Sequence, residues 1–363
     1  MKALASLAIA LCFAGATSAQ DKGAPRPGDN VDAAARAVRD KGLAWLTKHQ
    51  AADGSWGKQY TIAVTSFASL SYLAAADEPF RGDSGKALVK GLEFLLANQR
   101  DGTFHPQGHS WIHGQGFGTL ALSEAYGRSL FCKTKPDMDA AKLRDAAAKA
   151  VKVIAQNQSD SGGWWYTQGA KSQHEGSTTV CAVQALVSAS NFGIAIDEKV
   201  LDKGFDYLKK CQTNEGGFNY TLGDGSNMKE GTAAGVATLG LMKQFDTNVM
   251  IKGVQFLHKL TPAVISNERF PYYGHFYGTM GMQLLGQEFK DDKATFGKTQ
   301  SYIAAVQKDV AGWQKVDGSF PLKGWVRDGG AENEAYATAF GTLVLGVPES
   351  RLSIYNRQAP KLP

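Results

Sequence analysis

The 363-residue sequence has no basic run, although it carries 39 Lys and Arg residues against 34 Asp and Glu residues. The formal net charge of +5 is spread over interleaved acidic and basic positions. Proteins that bind nucleic acid usually concentrate positive charge on one face or in one segment. Nucleic acid is therefore not an expected partner. Nor does any internal stretch approach the ~20 consecutive apolar residues of a transmembrane helix, so we expect no stable membrane span.

Cysteine is also scarce, with four residues in the whole chain. One lies near the N-terminus, and Cys132, Cys181 and Cys211 have no spacing typical of a metal site. We therefore expect no metal and no cofactor. A Cys181–Cys211 disulfide is an alternative in an oxidising compartment, but an odd count leaves one thiol unpaired. Buried free thiols are the simpler interpretation.

The first nineteen residues have the pattern of a secretory signal peptide. Lys2 provides the basic start, residues 3–14 the apolar core, and Thr17, Ser18 and Ala19 a small-residue cleavage site. We expect cleavage after Ala19 and a secreted or periplasmic mature protein. Residues 20–30 are predicted to form a flexible lead-in because glycine, proline and charged residues dominate them.

The feature that organises the rest of the chain is a repeated helix and turn. Its helix begins near 42, 91, 150, 204 and 253, so successive copies start 49 to 59 residues apart. A period of this length indicates an array of structural repeats. The turn combines a glutamine with a later glycine and aromatic residue, and its copies are Gln50 with Gly54 and Trp56, Gln99 with Gly102 and Phe104, Gln158 with Gly162 and Trp164, Gln212 with Gly216 and Phe218, and Gln314 with Gly318 and Phe320.

Each residue type of the turn has a physical reason to be there. Glycine adopts the left-handed conformation that ends a helix, and the glutamine amide can bond backbone groups of the turn. The aromatic ring then fills the space before the next unit. We predict that the five turn aromatics are largely buried between units: Trp56, Phe104, Trp164, Phe218 and Phe320.

These turns resemble the QW-type prenyltransferase and squalene oxidase repeat of the terpenoid cyclase and protein prenyltransferase superfamily. The resemblance covers roughly residues 33–346 and implies an all-α fold, an α/α toroid in which outer and inner helices alternate around a central cavity. We place the toroid of six repeats at 31–348 and a C-terminal tail at 349–363. The resemblance does not fix the reaction, because one fold supports many functions.

A second helix rich in small residues follows each turn, as expected for an inner ring packed on both faces. The six segments are 62–75, 114–126, 176–189, 231–242, 278–285 and 335–345. Matched to six outer helices, they predict about twelve helices in total. An insertion at 130–147 explains the longest repeat spacing, and its helix is expected to start near Pro136.

Residues at the start of each inner helix should face one mouth of the cavity. The candidates for a site there are Trp111, His113, Gln115, His174, Glu175, Lys229, Glu230, Tyr273, His275, Tyr277, Glu332, Asn333, Glu334 and Tyr336, with His109 nearby. Among them His174, Glu175 and Glu230 lie on adjacent units, and acid–base chemistry needs such titratable groups close together. Both carboxylates equally suit helix capping, and the histidines and tyrosines equally suit structural roles.

The catalytic motifs that the resemblance would imply are missing. No Asp-x-Asp-Asp run, the acid of class II terpene cyclases, occurs; Asp291-Asp292 is the nearest match. None of Cys132, Cys181 and Cys211 has the aspartate two residues away that a prenyltransferase zinc site uses, and the Gly-Cys-Gly-Glu-Gln run of thioester proteins is absent. Whether the protein is an enzyme therefore stays open.

Three hypotheses remain. The first is an exported toroid that binds a small ligand, isoprenoid or lipid, in its central cavity. The second is a noncanonical isoprenoid- or carbohydrate-active enzyme that uses the His/Glu cluster at the mouth. The third is a scaffold that binds a protein partner across the ring. An aromatic-walled cavity would favour an isoprenoid or lipid ligand. A polar cleft with two carboxylates would favour a sugar, and a filled centre would favour the scaffold.

Overall fold

The computed structural model describes residues 33–105, 110–324 and 333–362. The predicted signal peptide and lead-in, together with His109 and Glu332, lie outside the described residues. The regular secondary structure of the described residues is almost all helical. None of its helices is long and apolar enough to cross a membrane.

Outer and inner helices alternate along the chain. The outer helices are α1 (Ala33–Lys48), α3 (Gly82–Ala97), α5 (Ala140–Gln156), α7 (Glu198–Cys211), α9 (Asn248–Lys259) and α12 (Lys293–Ala311). The inner helices are α2 (Thr61–Ala75), α4 (Trp111–Phe131), α6 (Gly176–Asn191), α8 (Lys229–Leu241), α11 (Pro271–Glu288) and α13 (Glu334–Gly346). The remaining elements are a short α10 (Pro262–Ser266), the two-residue strands β1 (Gln99–Arg100) and β2 (Thr103–Phe104), and 3₁₀ turns at Val347–Glu349 and Ser353–Tyr355.

The inner helices form a closed ring. Each packs against the next in the order α2, α4, α6, α8, α11 and α13, and α13 packs against α2. Their small residues are buried nearly throughout, as in α8, where every residue from Thr232 to Leu241 is buried. The predicted α/α toroid and its twelve ring helices are confirmed, with α10 as an additional short helix.

The glutamines of the turns link neighbouring units. Gln50 donates its side-chain amide to the carbonyl of Gly54 at 2.9 Å and to that of Ala87, on the next outer helix, at 2.8 Å. Gln158, Gln212 and Gln314 make the same pair of bonds in their own turns. The second bond of Gln314 goes to Val38 on α1 at 2.7 Å. The last turn thereby joins the first helix and closes the outer ring.

The second turn departs from this pattern. The side-chain amide nitrogen of Gln99 is buried and has no hydrogen-bond partner within the described part of the chain. Gln115 on α4 takes its place, donating to the carbonyl of Gly102 at 2.7 Å and accepting from the backbone N–H of Phe104 at 3.0 Å. Gln115, which the sequence grouped with the mouth residues, therefore holds the turn of its own unit.

The turn glycine and aromatic pack against the following outer helix. Gly162 has φ +95°, and a Cβ at this position would lie 2.3 Å from the carbonyl oxygen of Lys203. Trp164 is fully buried and donates its indole N–H to the carbonyl of Ile154 at 2.8 Å. The prediction that all five turn aromatics are buried is confirmed, since none exceeds 2% exposure.

The insertion between the second and third units differs from its predicted form. Inner helix α4 continues through residue 131, and α5 begins at Ala140 rather than near Pro136. Asp139 caps α5, accepting from the backbone N–H of Ala141 at 2.9 Å. The side-chain cap therefore decides the helix start, as aspartate commonly does at this position.

The C-terminal segment closes the ring at the ends of the inner helices opposite to the turns. Ser353 donates its backbone N–H to Glu124 at 2.8 Å, and the Ser188 hydroxyl donates to the same carboxyl at 2.8 Å. Tyr355 is fully buried, with its ring centroid 6.2 Å from that of Phe276. The segment predicted as a tail thus packs into the ring and fills its centre from this side.

The cysteines Cys132, Cys181 and Cys211 are buried and free. The alternative Cys181–Cys211 disulfide is not formed. Burial raises the pKa of Cys211 to about 12 and raises that of Cys181 as well, so both remain thiols near neutral pH. All three fill space in the packed layers, as small apolar side chains do.

Candidate functional site

The ring encloses a cavity of about 580 Å³ at the N-terminal ends of the inner helices. All six inner helices contribute to its wall, because each enters the ring at this end. The lining includes Tyr60, Val64, Phe67, Ser110, His113, Phe117, Tyr166, Ser177, Val180, Tyr220, Glu230, Phe270, Tyr273, Asn333, Tyr336 and Phe340. The mouth expected from the sequence is therefore a real opening onto an interior space.

One side of the cavity is an aromatic wall. Phe67 on α2 lies 4.4 Å from Phe117 on α4 and 4.2 Å from Phe340 on α13, measured between ring centroids. Tyr336 extends this group at 4.9 Å from Phe340. Rings on three neighbouring inner helices thus present a continuous apolar surface, which holds a hydrophobic ligand by burial of apolar area.

Hydroxyl groups and a histidine line another part of the mouth. The Tyr166 and Tyr220 hydroxyls lie 2.6 Å apart. His113 has its Nδ1 2.5 Å from the Ser110 hydroxyl and its Nε2 3.5 Å from the Ser177 hydroxyl. These groups come from three successive units, and they offer a ligand hydrogen-bond donors and acceptors beside the aromatic wall.

Glu175 lies behind this polar group and is fully buried. It is the N-cap of α6, accepting from the backbone N–H and hydroxyl of Ser177 and from the N–H of Thr178 at 3.2 Å. Tyr166 also hydrogen-bonds to it. Burial raises the pKa of the Glu175 carboxyl, and these hydrogen bonds oppose the rise. Its geometry is that of a helix cap.

Glu230 occupies a different position, on the cavity wall. It is 3% exposed and is the second residue of α8. Burial raises the pKa of its carboxyl, and the negative charge of Glu268 adds to the rise, while Arg269 and Lys229 oppose it. A carboxyl group kept protonated in an apolar space can donate a hydrogen bond or a proton.

Tyr273, on the neighbouring helix α11, also lines the cavity. Its hydroxyl is buried and has no hydrogen-bond partner within the described residues. Burial raises the pKa of this phenol well above its ordinary value, and the neighbouring Tyr277, Glu175 and Glu230 add to the rise. The side-chain oxygen of Asn333 is likewise buried without a partner in the described parts of the chain.

Three charged or polar candidates point away from the cavity. Lys229 pairs with Glu268 at 2.5 Å, and Glu334 forms an ion pair with Lys315. His174 has its Nδ1 3.2 Å from the Tyr207 hydroxyl, and partial burial lowers its pKa. Successive residues of a helix are rotated by about 100°, so neighbours of a cavity residue face outward.

Three aromatic candidates are buried within the helix layers. His275 lies 2.9 Å from the Ser266 hydroxyl, and burial lowers its pKa to about 4. Tyr277 donates to the side-chain oxygen of Gln184 at 2.7 Å, and Trp111 is 4% exposed. The structure therefore brings five candidates together at the cavity: His113, Glu230, Tyr273, Asn333 and Tyr336. The other candidates within the described residues lie elsewhere: Trp111, Gln115, His174, Glu175, Lys229, His275, Tyr277 and Glu334.

Sequence reasoning missed Tyr166, Tyr220, Ser110 and Ser177 as cavity residues. The two tyrosines had a recognisable signal, because each stands two residues after the turn aromatic of its unit. The aromatic wall had no such signal in the sequence, because Phe67 and its neighbours look like ordinary core residues of an inner helix. Across residues 33–105, 110–324 and 333–362, no group of three or more His, Cys, Asp and Glu residues could hold a metal ion.

A family model for the prenyltransferase alpha-alpha toroid domain matches residues 29–219, 192–259 and 253–360. The chain belongs to this family, and the repeats identified in the sequence are those of the toroid.

Among curated proteins, the chain is similar to a terpene cyclase-glycosyl transferase fusion protein, fsoA, of Humicola fuscoatra. The two are 23% identical over 240 residues, a match that covers 56% of this chain and 17% of that protein. The chain thus corresponds to a small part of that longer relative.

Two kinds of solved structure share the fold. A variant of the type II terpene cyclase MstE from Scytonema, in complex with the substrate geranylgeranyl dihydroxybenzoate, has a TM-score of 0.55 and 15% identity. The match covers 88% of this chain and 98% of that chain. The alpha-1,6-mannanase GH76A from Salegentibacter has a TM-score of 0.64 and 8% identity, covering 87% and 99%. An inactive variant of the mannanase is in complex with alpha-1,6-mannotetrose. At these identities the likeness concerns the fold alone.

Proposed function

We propose that the protein binds an isoprenoid or another lipid-like hydrophobic molecule in its central cavity. The aromatic wall of Phe67, Phe117, Tyr336 and Phe340 carries this proposal. Ligand-binding cavities typically measure ~300 to 1,000 Å³ and combine apolar walls with a few polar groups, and the cavity of about 580 Å³ has both properties. The substrate in the MstE complex, a geranylgeranyl compound, supports the same class of ligand.

The other hypotheses fit the cavity less well. Glycoside hydrolysis generally uses two carboxyl groups about 5 to 9.5 Å apart, and Glu230 is the carboxyl on the cavity wall among the described residues. A scaffold needs no internal space, whereas this ring keeps an open cavity at its mouth. Binding of a hydrophobic ligand uses the features that are present.

A second candidate function is acid catalysis on the bound isoprenoid. Glu230 supports it, because a buried carboxyl with a raised pKa on an apolar cavity is suited to donate a proton. Incubation of the protein with isoprenoid alcohols and hydrocarbons, followed by mass spectrometry, would show products that Glu230→Gln fails to form. Unchanged ligand after prolonged incubation would contradict this second candidate and leave binding as the function.

Binding itself is tested by titrating geranylgeraniol and, separately, an alpha-1,6-linked mannotetraose while recording intrinsic tryptophan fluorescence and heat. We expect saturable binding of the isoprenoid and none of the sugar. Gln59→Trp adds bulk at an exposed position of the mouth and should weaken isoprenoid binding by about tenfold or more, or ~1.4 kcal/mol. Lys86→Trp, on the exposed face of α3, is the matched control. Sugar binding in place of isoprenoid binding would overturn the proposal.

We also propose that the protein is exported, which the N-terminal pattern of Lys2, the apolar segment and the small residues before Gln20 supports. Mass spectrometry of protein isolated from its native host should find a mature chain that begins near Gln20. An intact N-terminus on protein recovered from the cytoplasm would contradict export.

A further inference from the structure

We infer that the Tyr273 hydroxyl and the Glu230 carboxyl form a subsite for the carbonyl oxygen of the ligand, so that the cavity selects isoprenoid-like ketones or quinones over hydrocarbons of the same shape. The inference rests on the proposed function, because it concerns the polar end of a ligand held against the aromatic wall. It assigns a chemical class to that ligand.

Neighbouring inner helices bring Tyr273 and Glu230 to the same cavity, and the charge of Glu230 acts on the Tyr273 phenol. Tyr273 is the third residue of α11 and Glu230 the second residue of α8, and the two helices pack closely. The two helices approach closely at Gly274, where an added Cβ would lie 3.1 Å from the Cβ of Glu230 and 3.5 Å from its Cα. Both side chains then line the same cavity.

The hydrogen bonding of the Tyr273 hydroxyl indicates that a ligand supplies its partner. The Tyr273 hydroxyl is buried and has no partner among the described residues, although an unsatisfied buried polar group destabilises the folded state. A buried group of this kind calls for a partner that arrives with the ligand. Tyr277, the adjacent aromatic, has its own hydroxyl satisfied by Gln184.

Protonation makes both groups donors. The phenol is neutral near pH 7, and the raised pKa of Glu230 favours its carboxylic acid form. Beside burial, Glu268 favours the proton on Glu230, whereas a hydrogen bond from the backbone N–H of Glu230 itself and the charges of Arg269 and Lys229 disfavour it. When both groups are neutral, their two O–H donors are matched by one acceptor with two lone pairs, and a carbonyl oxygen is such an acceptor.

The test compares farnesylacetone, an isoprenoid ketone, with the hydrocarbon in which CH₂ replaces its C=O group. The preference is the ratio of their dissociation constants, measured for wild type and variants. Tyr273→Phe and Glu230→Leu each remove one donor and should each lower the preference for the ketone by about tenfold. Tyr207→Phe, which removes a buried hydroxyl outside the cavity, is the control and should retain the preference.

Glu230→Gln provides the conservative rescue, because its amide still donates an N–H. It should keep most of the ketone preference and make it independent of pH. In wild type the preference should fall as the pH rises through the Glu230 pKa, since the ionised carboxylate no longer donates. The infrared C=O stretch of the ketone bound to wild type should lie at lower frequency than in hydrocarbon solvent. Tyr273→Phe should reverse part of that shift.

The outcomes separate this inference from the proposed function. Equal ketone preference in wild type, Tyr273→Phe and Glu230→Leu, or a C=O stretch typical of hydrocarbon solvent, would overturn the subsite while isoprenoid binding stands. Failure of both probes to bind wild type would overturn the proposed function itself. Thermal unfolding of each variant shows whether it is folded, and the infrared measurement needs only the wild-type protein.

Discussion

At the two ends of the toroid, buried glutamates have different neighbours. At the closed end Glu124 accepts hydrogen bonds from the Ser188 hydroxyl and from both the N–H and hydroxyl of Ser353, which fix the C-terminal segment. At the open end Glu230 lies on the wall of a cavity that also holds the Tyr273 hydroxyl, which has no hydrogen-bond partner among the described residues. Burial raises the pKa of both carboxyls. The surrounding hydrogen bonds, more than burial or pKa, separate a structural carboxyl from one available to a ligand.

Glu175 is an instructive intermediate case, because it lies at the open end and yet has the bonding of a structural residue. Its carboxyl is fully buried and accepts from the Ser177 and Thr178 backbone N–H groups. The comparison between the two ends therefore predicts a graded response to substitution. Substitution of Glu124 should mainly lower the stability of the fold, and substitution of Glu175 should remove part of a helix cap at a smaller cost in stability. Substitution of Glu230 should mainly change ligand binding.

The largest loss of stability should come from a turn aromatic, because it packs between units of the toroid and belongs to neither end. Its size is the reference for the smaller effects below. Trp164→Ala removes a fully buried indole that bonds to Ile154. We expect a loss of ~3 to 5 kcal/mol in the free energy of unfolding, measured by urea denaturation. A loss below ~1 kcal/mol would show that the ring does not depend on the turn aromatics.

Glu124→Leu should come next. The substitution leaves the backbone N–H of Ser353 and two serine hydroxyls without their acceptor, so we expect a loss of ~2 to 3 kcal/mol. The C-terminal segment should also become more susceptible to carboxypeptidase. Unchanged stability together with an unchanged digestion rate would mean that Glu124 does not fix the closed end.

Glu175→Gln should have a smaller effect. Gln keeps one acceptor for the N-terminus of α6 but loses the second carboxyl oxygen, and we expect a loss of ~1 kcal/mol in the free energy of unfolding. Isoprenoid affinity should not change. A large loss of affinity without a loss of stability would move Glu175 into the binding site and break the contrast between the two glutamates of the mouth.

Glu230→Gln should have the smallest effect on stability near pH 4. The direction in which this effect changes with pH follows from the raised pKa of Glu230. The folded state holds the Glu230 proton more tightly than the unfolded state, so the stability this group contributes is full below the unfolded pKa and is lost as the pH rises through the folded pKa. Gln does not titrate. Between about pH 4, near the ordinary glutamate pKa, and about pH 8, the melting temperature of Glu230→Gln should therefore rise relative to wild type. Parallel pH profiles for the two proteins would contradict a raised pKa.

The position of the site was only partly readable from the sequence. The mouth followed from the repeat, because every inner helix starts just after its turn. Which residues face the cavity did not follow: His275 lies two positions after Tyr273 and is buried against Ser266. A helix turns about 100° per residue, and the rotation of each inner helix about its axis depends on how its small residues pack against both rings.

The sequence by itself determined the architecture, because the turn motif is local. A glycine at positive φ, a glutamine amide and a buried aromatic act within one unit and the next, so their recurrence defines a ring of helices. Only the tertiary structure decided which carboxyls were bonded and which faced open space. Glu124 and Ser353 are 229 positions apart, and a hydrogen bond over that distance arises from closure of the whole ring, which no local pattern encodes.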